Sequence, residues 1–349
     1  LDDIGLLDLT DRLKQSGWYD RIIKSRFAPW SKKQRIFGVP HDVHPVTLSY
    51  RKDLFDQAGV DLASADTWPK FHDACLRFQK YWRDKGVLNR WALELPEASS
   101  GFLLAMLLQR GINLIDADGN IHINDPKVAQ TLAFYAQMAA GPREIGSEVS
   151  ANDAVYSQDL AEGSVCTLWS PDWRVASIKQ YAKDLEGKMG IMPLPRFDPT
   201  DAPTATYGGT MICIPKRSKN HDLAFKLIEE LYLTDAAIDA QRRASVQILP
   251  PVIELWNDPR YNEPDPFYVD SEGKPVKVDQ LFIRLAPQIP PRYVSPETTV
   301  ADATLTLVLT KAVSHVKSKG ADGLVEACQA WLDLAAINLK SRIEHGRFD

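Results

Sequence analysis

Short apolar runs alternate along the chain with longer stretches whose apolar positions recur every three or four residues. The first pattern predicts buried strands and the second predicts amphipathic helices, so the chain reads as α/β. Strand-like runs fall at 37–40 (FGVP), 46–50 (VTLSY), 165–169 (VCTLW), 189–192 (MGIM) and 209–215 (GTMICIP). A helix is expected over 51–58, stopped by Gly59. Another is expected over 67–81, with Thr67 as its cap, Pro69 close behind, and Phe71, Cys75 and Phe78 on one face. Asp125 and Pro126 open a third, with Val128, Leu132, Tyr135 and Met138 as its buried stripe. Residues 220–231 make a fourth, and two long helices over 300–317 and 321–343 close the chain. The run 101–108 (GFLLAMLL) is apolar all round, which reads as a buried helix too short to span a membrane. Residues 112–123 read as a hairpin turning at Asp118-Gly119, and 249–291 as a proline-rich series of turns. The first thirteen residues read as an apolar turn and then a helix capped by Asp8 or Thr10.

Length changes this picture: 349 residues exceed one ordinary core, so two domains or lobes are expected. Hydrophobic residues at 44% and charged residues at 25% exclude disorder as the main state. A net charge of -5 argues against a nucleic-acid partner bound by general electrostatics. The four cysteines, Cys75, Cys166, Cys213 and Cys328, lie far apart with no CxxC pair, which argues against a zinc cage or a disulfide scaffold and leaves a single disulfide open. The opening LDDIGLLDLTDRL has no basic start followed by an apolar run. That fits a cytoplasmic protein or an exported one whose front end has been removed.

The motifs that usually announce catalysis do not occur. There is no GxGxxG or GxxxxGK[ST] loop for nucleotides, no GxSxG elbow and no HExxH. The SxxK match at 314–317 stands on a surface-helix pattern without companion motifs. A calcium loop starting at Asp116 would need Gly at its sixth position and Glu at its twelfth, where Ile121 and Lys127 stand. His41 and His44 are close together but have no further metal ligand nearby, so neither a metal nor a cofactor is expected.

Six segments then fall into a familiar order. FGVPHDVHPVTLSYRKDLFDQAGVDL leads into TWPKFHDACLRF; LLQRGINLIDADGNIHINDPKVAQTLAFYAQM, LAEGSVCTLWSPDW, MGIMPLP and YGGTMICIPKRSKNHDLAFKLIEEL follow. Together they resemble the sugar-binding, maltose-binding-protein-like (family 1) extracellular solute-binding proteins of ABC importers. Each motif alone is weak, and the ordered set covers most of the chain. The resemblance implies a two-lobe periplasmic-binding-protein-like fold, with discontinuous lobes joined by hinge strands. It places crossings near 91–97, near 207–210 and after Pro250. The first lobe would hold 1–95 plus 210–255, and the second 96–209 plus 256–349. In that family a βαβ segment precedes the part where this chain opens. The resemblance therefore implies a missing front segment of about 70 residues, on a lobe of usual size.

Function follows from the same resemblance: capture of a sugar in the interlobe cleft, without catalysis, and delivery to ABC permease subunits, by a monomer in the periplasm or another extracytoplasmic space. Sugar recognition needs aromatic faces for the ring and planar polar groups for hydroxyl pairs. Four patches are candidates. His41, Asp42 and His44 follow a strand end. Trp169, Ser170, Asp172 and Trp173 end another, where the family places stacking aromatics and where Asp172 is equally suited to cap a helix. Tyr207, Gly208 and Gly209 combine an aromatic with two glycines that permit close approach or hinge bending. Arg292, beside Tyr293, offers a fork of donors. Glu97 and Gln247 are weaker candidates at the crossings. Arg174, Arg196 and Arg292 leave room for an acidic sugar or a glycerol-phosphate type ligand. Two rival readings stand beside this one: a carbohydrate-active enzyme using Asp42 and Asp172 as acid and base, and a ligand sensor for a signalling receptor.

Overall fold

Every side chain of the strand Val46–Arg51 is buried, and the larger part of the fold is built outward from it. Its sequence VTLSYR alternates apolar and polar residues, a pattern that usually marks one wet face. Here both faces are covered and the polar side chains find partners inside. The Thr47 hydroxyl donates to the Ser170 carbonyl at 2.6 Å, and the Ser49 hydroxyl lies 3.1 Å from that of Tyr268. The computed structural model describes residues 4–243 and 248–345, so Gln247 lies outside the described residues.

The strand is the second member from the edge of a five-stranded sheet. From one edge the order is Pro275–Val276, Asp265–Val269, Met189–Pro193, Val46–Arg51 and Thr167–Pro171. Val46–Arg51 runs antiparallel to both neighbours, with Leu48 opposite Met192 on one side and Trp169 on the other. These three residues point into one apolar cluster, shared with the helices Trp68–Asp84, Gly101–Gln109, Pro126–Ala139, Pro296–Lys319 and Leu324–Glu344. Leu168, Met189 and Tyr268 point into a second cluster, closed by Asp153–Glu162, Asp172–Tyr181 and Val278–Leu285. The pleat thus deals alternate residues to two cores.

A third cluster stands apart. It joins Leu9, Leu13, Ile22, Phe27, Ile36 and Val39 to Ile214, Phe225, Ile228, Leu233 and Val252. Its backbone seam is the antiparallel pair Val39–Pro40 with Met211–Ile212. The chain passes between this smaller body and the larger one near 40–46, near 204–211 and near 249–252. The crossing expected at 91–97 is not where the packing changes. Ala92, Leu93 and Leu95 are buried in the same cluster as the helices on either side of them, and Leu93–Glu94 pairs with Gly146–Ser147. Residues 46–95 therefore pack with the part assigned above to the second lobe.

Local signals account for most elements. The Thr67 hydroxyl accepts from the Lys70 N–H, and the Asp125 carboxylate from that of Lys127. At the front, Asp8 receives both the N–H and the hydroxyl of Thr10, at the start of Thr10–Gln15. The expected hairpin over 112–123 shrinks to one bridge, Ile115 with Ile121, because the Asp116 side chain gathers the N–H groups of Asp118 and Asn120 into a loop. The run 209–215 supplies only Met211–Ile212 as strand. Among the described residues no helix is long and apolar enough to cross a membrane.

Candidate functional site

A pocket of about 160 Å³ opens beside the second crossing. Tyr207 and Gly208 come from the crossing, Gly101 and Ala105 from one helix, Arg292 and Tyr293 from a loop, and Asp302 from the helix Pro296–Lys319. Each is held in place by sequence features of its own. Tyr207 leans on Phe102, ring centroids 5.3 Å apart, and passes close over Gly101, where a Cβ would sit 3.2 Å from its ring. Gly208 adopts φ +86°, a conformation open to glycine at little cost. Asn113 pins the loop at both ends of its amide: its Nδ2 donates to the Pro291 carbonyl and its Oδ1 accepts from the Tyr293 N–H, each at 3.0 Å.

The chemistry of the pocket is mixed. Two half-buried tyrosines supply apolar faces with polar tips. Arg292 Nη2 lies 3.5 Å from Asp302 Oδ2, so the cation faces a carboxylate across the pocket wall. Burial pushes the Asp302 carboxyl above its usual range, although Arg292 opposes the shift. Trp173 adjoins the pocket: its indole N–H reaches the Tyr207 carbonyl at 3.5 Å, and a Cβ on Gly208 would lie 3.5 Å from the same nitrogen. No group of three His, Cys, Asp or Glu side chains among the described residues is arranged to hold a metal.

The structure separates the sequence candidates into three sets. Tyr207, Gly208, Trp173 and Arg292 gather at or beside the pocket. Trp169 does not: it is wholly buried, stacked between Phe102 at 4.8 Å and Trp68 at 5.3 Å, so no ring face is left for a sugar. Ser170 is also wholly buried in its strand. Asp42, His44 and Asp172 are buried behind the pocket and bonded to one another, which leaves them no open face. The oxygens of both carboxylates are taken by protein donors: Arg26, His44 and Thr210 for Asp42, and His44, Trp173 and Leu249 for Asp172. They do not offer the free acid and base that glycoside hydrolysis needs. His41 is half-buried, stacked on Tyr232 and 2.5 Å from the Thr210 hydroxyl. Gly209 serves the packing of Arg26, since a Cβ there would lie 2.0 Å from Arg26 Nη2.

The weaker candidates lie elsewhere. Glu97 pairs with Lys317 at 2.5 Å. Arg174 is buried against Glu94, with contacts of 2.5 and 2.9 Å, and over the Tyr156 ring. Arg196 donates to the Pro199 carbonyl in a separate open groove. Asn113, Asp302 and Gly101 were missed. Asp302 reads as one solvated position of a long helix, and nothing local marks it out. Arg26 was missed because its partner stands 16 residues on, beyond any local spacing rule.

A family model described as "Bacterial extracellular solute-binding protein" matches residues 1–254, and the chain belongs to this family. Among curated relatives it is 24% identical over 261 residues to the arabinooligosaccharide-binding protein of Halalkalibacterium halodurans, covering 71% of this chain and 55% of the relative. It is 26% identical over 223 residues to the arabinooligosaccharide-binding protein of Bacillus subtilis, covering 64% and 50%. The chain spans about half the length of these curated relatives. Among solved structures, the sugar-binding protein MalE of Xanthomonas citri superposes with a TM-score of 0.72 at 21% identity, over 97% of this chain and 81% of that one. The ABC-transporter binding protein of B. animalis subsp. lactis, solved with beta-1,6-galactobiose, gives 0.71 at 18% with the same coverage. The two-lobe solute-binding fold expected from the motifs is therefore the fold of this chain.

Proposed function

We propose that the chain captures a neutral sugar or short oligosaccharide between its two bodies and hands it to the membrane subunits of an ABC importer, on the outer side of the membrane. The observation that carries this reading is the pocket at the second crossing, where Tyr207, Tyr293 and Arg292 meet beside Trp173. Aromatic faces and a planar fork of donors are what a pyranose ring and its hydroxyl pairs require. Family membership, the arabinooligosaccharide-binding relatives and the neighbour solved with beta-1,6-galactobiose support the same class of ligand. Neutral is preferred over acidic because the charge of Arg292 already has Asp302 as its counterpart.

In this reading one lobe consists of residues up to about 40 with about 211–252, and the other holds the rest. The lobes close on a ligand that touches both, provided that the ligand favours the closed state. The protein works as a monomer. On the larger lobe the ligand contacts are Tyr207, Gly208, Trp173, Arg292 and Tyr293.

The test is a thermal-shift and calorimetric panel of neutral and acidic mono-, di- and oligosaccharides. A ligand present at 100 times its Kd should stabilise the chain by about 2.7 kcal/mol. Arg292→Ala should weaken the sugar that binds by about tenfold or more, a loss of at least ~1.4 kcal/mol. Binding of acidic sugars alone would reverse the preference for neutral ligands. Absence of any shift across the panel would sink sugar as the ligand.

A further inference from the structure

Behind the pocket wall four buried ionisable side chains meet: Arg26, Asp42, His44 and Asp172, each less than a tenth exposed. Arg26 Nη2 donates to Asp42 Oδ1 at 2.8 Å, and its Nε donates to the Asp42 carbonyl at 3.0 Å. His44 stands between two carboxylates, with Nε2 3.2 Å from Asp42 Oδ2 and Nδ1 2.5 Å from Asp172 Oδ1. A neutral imidazole would turn a lone pair toward one of them. With both nitrogens facing carboxylates, the ring carries both protons, and the four charges sum to zero.

Each member ties down a different stretch of chain. Arg26 belongs to the smaller body and also reaches the Thr206 hydroxyl, at 3.2 Å. Asp42 and His44 lie on the first crossing. Asp42 Oδ2 accepts the Thr210 N–H at 3.0 Å from the second crossing. Asp172 Oδ2 accepts the Leu249 N–H at 2.6 Å from the third. Asp172 also opens the helix Asp172–Tyr181, and its Oδ1 accepts the N–H of Trp173. A Cβ on Gly208 would come within 3.9 Å of the His44 ring and 3.5 Å of the Trp173 indole. His44 itself sits at φ +55°, in the left-handed region that costs a non-glycine residue energy, and the two ring bonds hold it there.

We propose that His44, doubly protonated, is a positioning residue: a latch that holds the three crossings in one geometry, sets Gly208 in the pocket wall and Trp173 beside it, and lets go when it loses a proton. The proposal rests on the two-lobe fold and not on which ligand is bound. Burial alone would drive the His44 proton off, but Asp172 and then Asp42 outweigh it and raise the group to about 9. Burial also works against the Asp42 anion. His44, Arg26 and His41 outweigh that, and the carboxyl stays well below its usual range. The groups facing the ring are thus Asp42 and Asp172, with Arg26 and His41 one contact further out. The latch is therefore fully set below the ordinary imidazole value of about 6.5 and is lost as pH rises through about 9.

The experiment is a titration of the ligand-free chain from pH 6 to 10 by nitrogen-15 NMR, following the His44 ring, the amides of Thr210 and Leu249, and the Trp173 indole. Both His44 nitrogens should show protonated shifts at pH 7 and titrate near pH 9. The Thr210, Leu249 and Trp173 signals should move with the same midpoint, while the amides of Leu48 and Leu168 stay still. In His44→Gln the three reporters should stand near their high-pH positions at pH 7 and show no midpoint near 9. A His44 midpoint near 6.5 would overturn the proposal. So would a midpoint near 9 that leaves the three reporters unmoved, which is what a purely structural ion pair would give. If His44→Gln does not fold, the titration of the unaltered chain still decides.

Discussion

Trp169 and Trp173 lie four positions apart, and the structure gives them opposite roles. Trp169 is wholly buried, with its indole N–H donating to the Glu94 carbonyl at 3.2 Å. Trp173 is half-buried beside the pocket. The sequence marks both as aromatic at a strand end and cannot rank them. The ranking comes from the neighbours Trp68 and Phe102, more than sixty positions upstream, which close over one ring and not the other. Trp169→Ala should cost roughly 3–5 kcal/mol of stability, because it empties a packed site. Denaturant unfolding checks this, and a loss below about 1 kcal/mol would mean that the site collapses or that Trp169 is not core. Asp42, His44 and Asp172 are likewise placed by neighbours distant in sequence. The sequence marks these polar groups at strand ends as candidate ligand contacts, whereas their partners Arg26, Thr210 and Leu249 come from other segments and turn them inward.

At the scale of elements, the chain is most legible where a cap and an apolar stripe coincide. Trp68–Asp84 and Pro126–Ala139 lie close to where Thr67 and Asp125 announce them. Asp153–Glu162 was missed, although Asn152 caps it with its Oδ1 accepting from Ala154 at 3.1 Å and Val155 at 3.3 Å, and Gly163 ends it at φ +74°. Its weak apolar periodicity hid it, since Tyr156, Ser157 and Leu160 are its only buried positions. Asn152→Ala should destabilise the protein by about 1 kcal/mol, read as a shift in the urea midpoint at unchanged slope. Val278–Leu285 was hidden by the prolines on either side of it, which favour turns at the ends of elements and not within this one.

The whole molecule is two bodies of unequal size sharing three crossings. Their cysteines report on them separately. Cys75, Cys166 and Cys328 are buried in the larger body, and burial pushes the Cys166 and Cys328 thiols up to about 12. Cys213 is half-buried in the smaller body, between Ile212 and Ile214 of its cluster. In the native state a disulfide reagent should modify Cys213 well ahead of the other three. In rising denaturant those three should become reactive together, and reaction of all four at one rate without denaturant would refute this burial. The smaller body also has an unusual seam: Trp18 donates to Glu229 across a separation of 211 positions, at 2.7 Å. Closing so long a loop is entropically costly and slows folding. On a ribosome, where the chain emerges from its front end, the residues around Leu9 and Val39 must wait, with their apolar faces uncovered, until those around Phe225 and Val252 have been made. The larger body has three of its five strands by then and still awaits the helices Pro296–Lys319 and Leu324–Glu344, so the order of synthesis favours the smaller body being completed before the larger one.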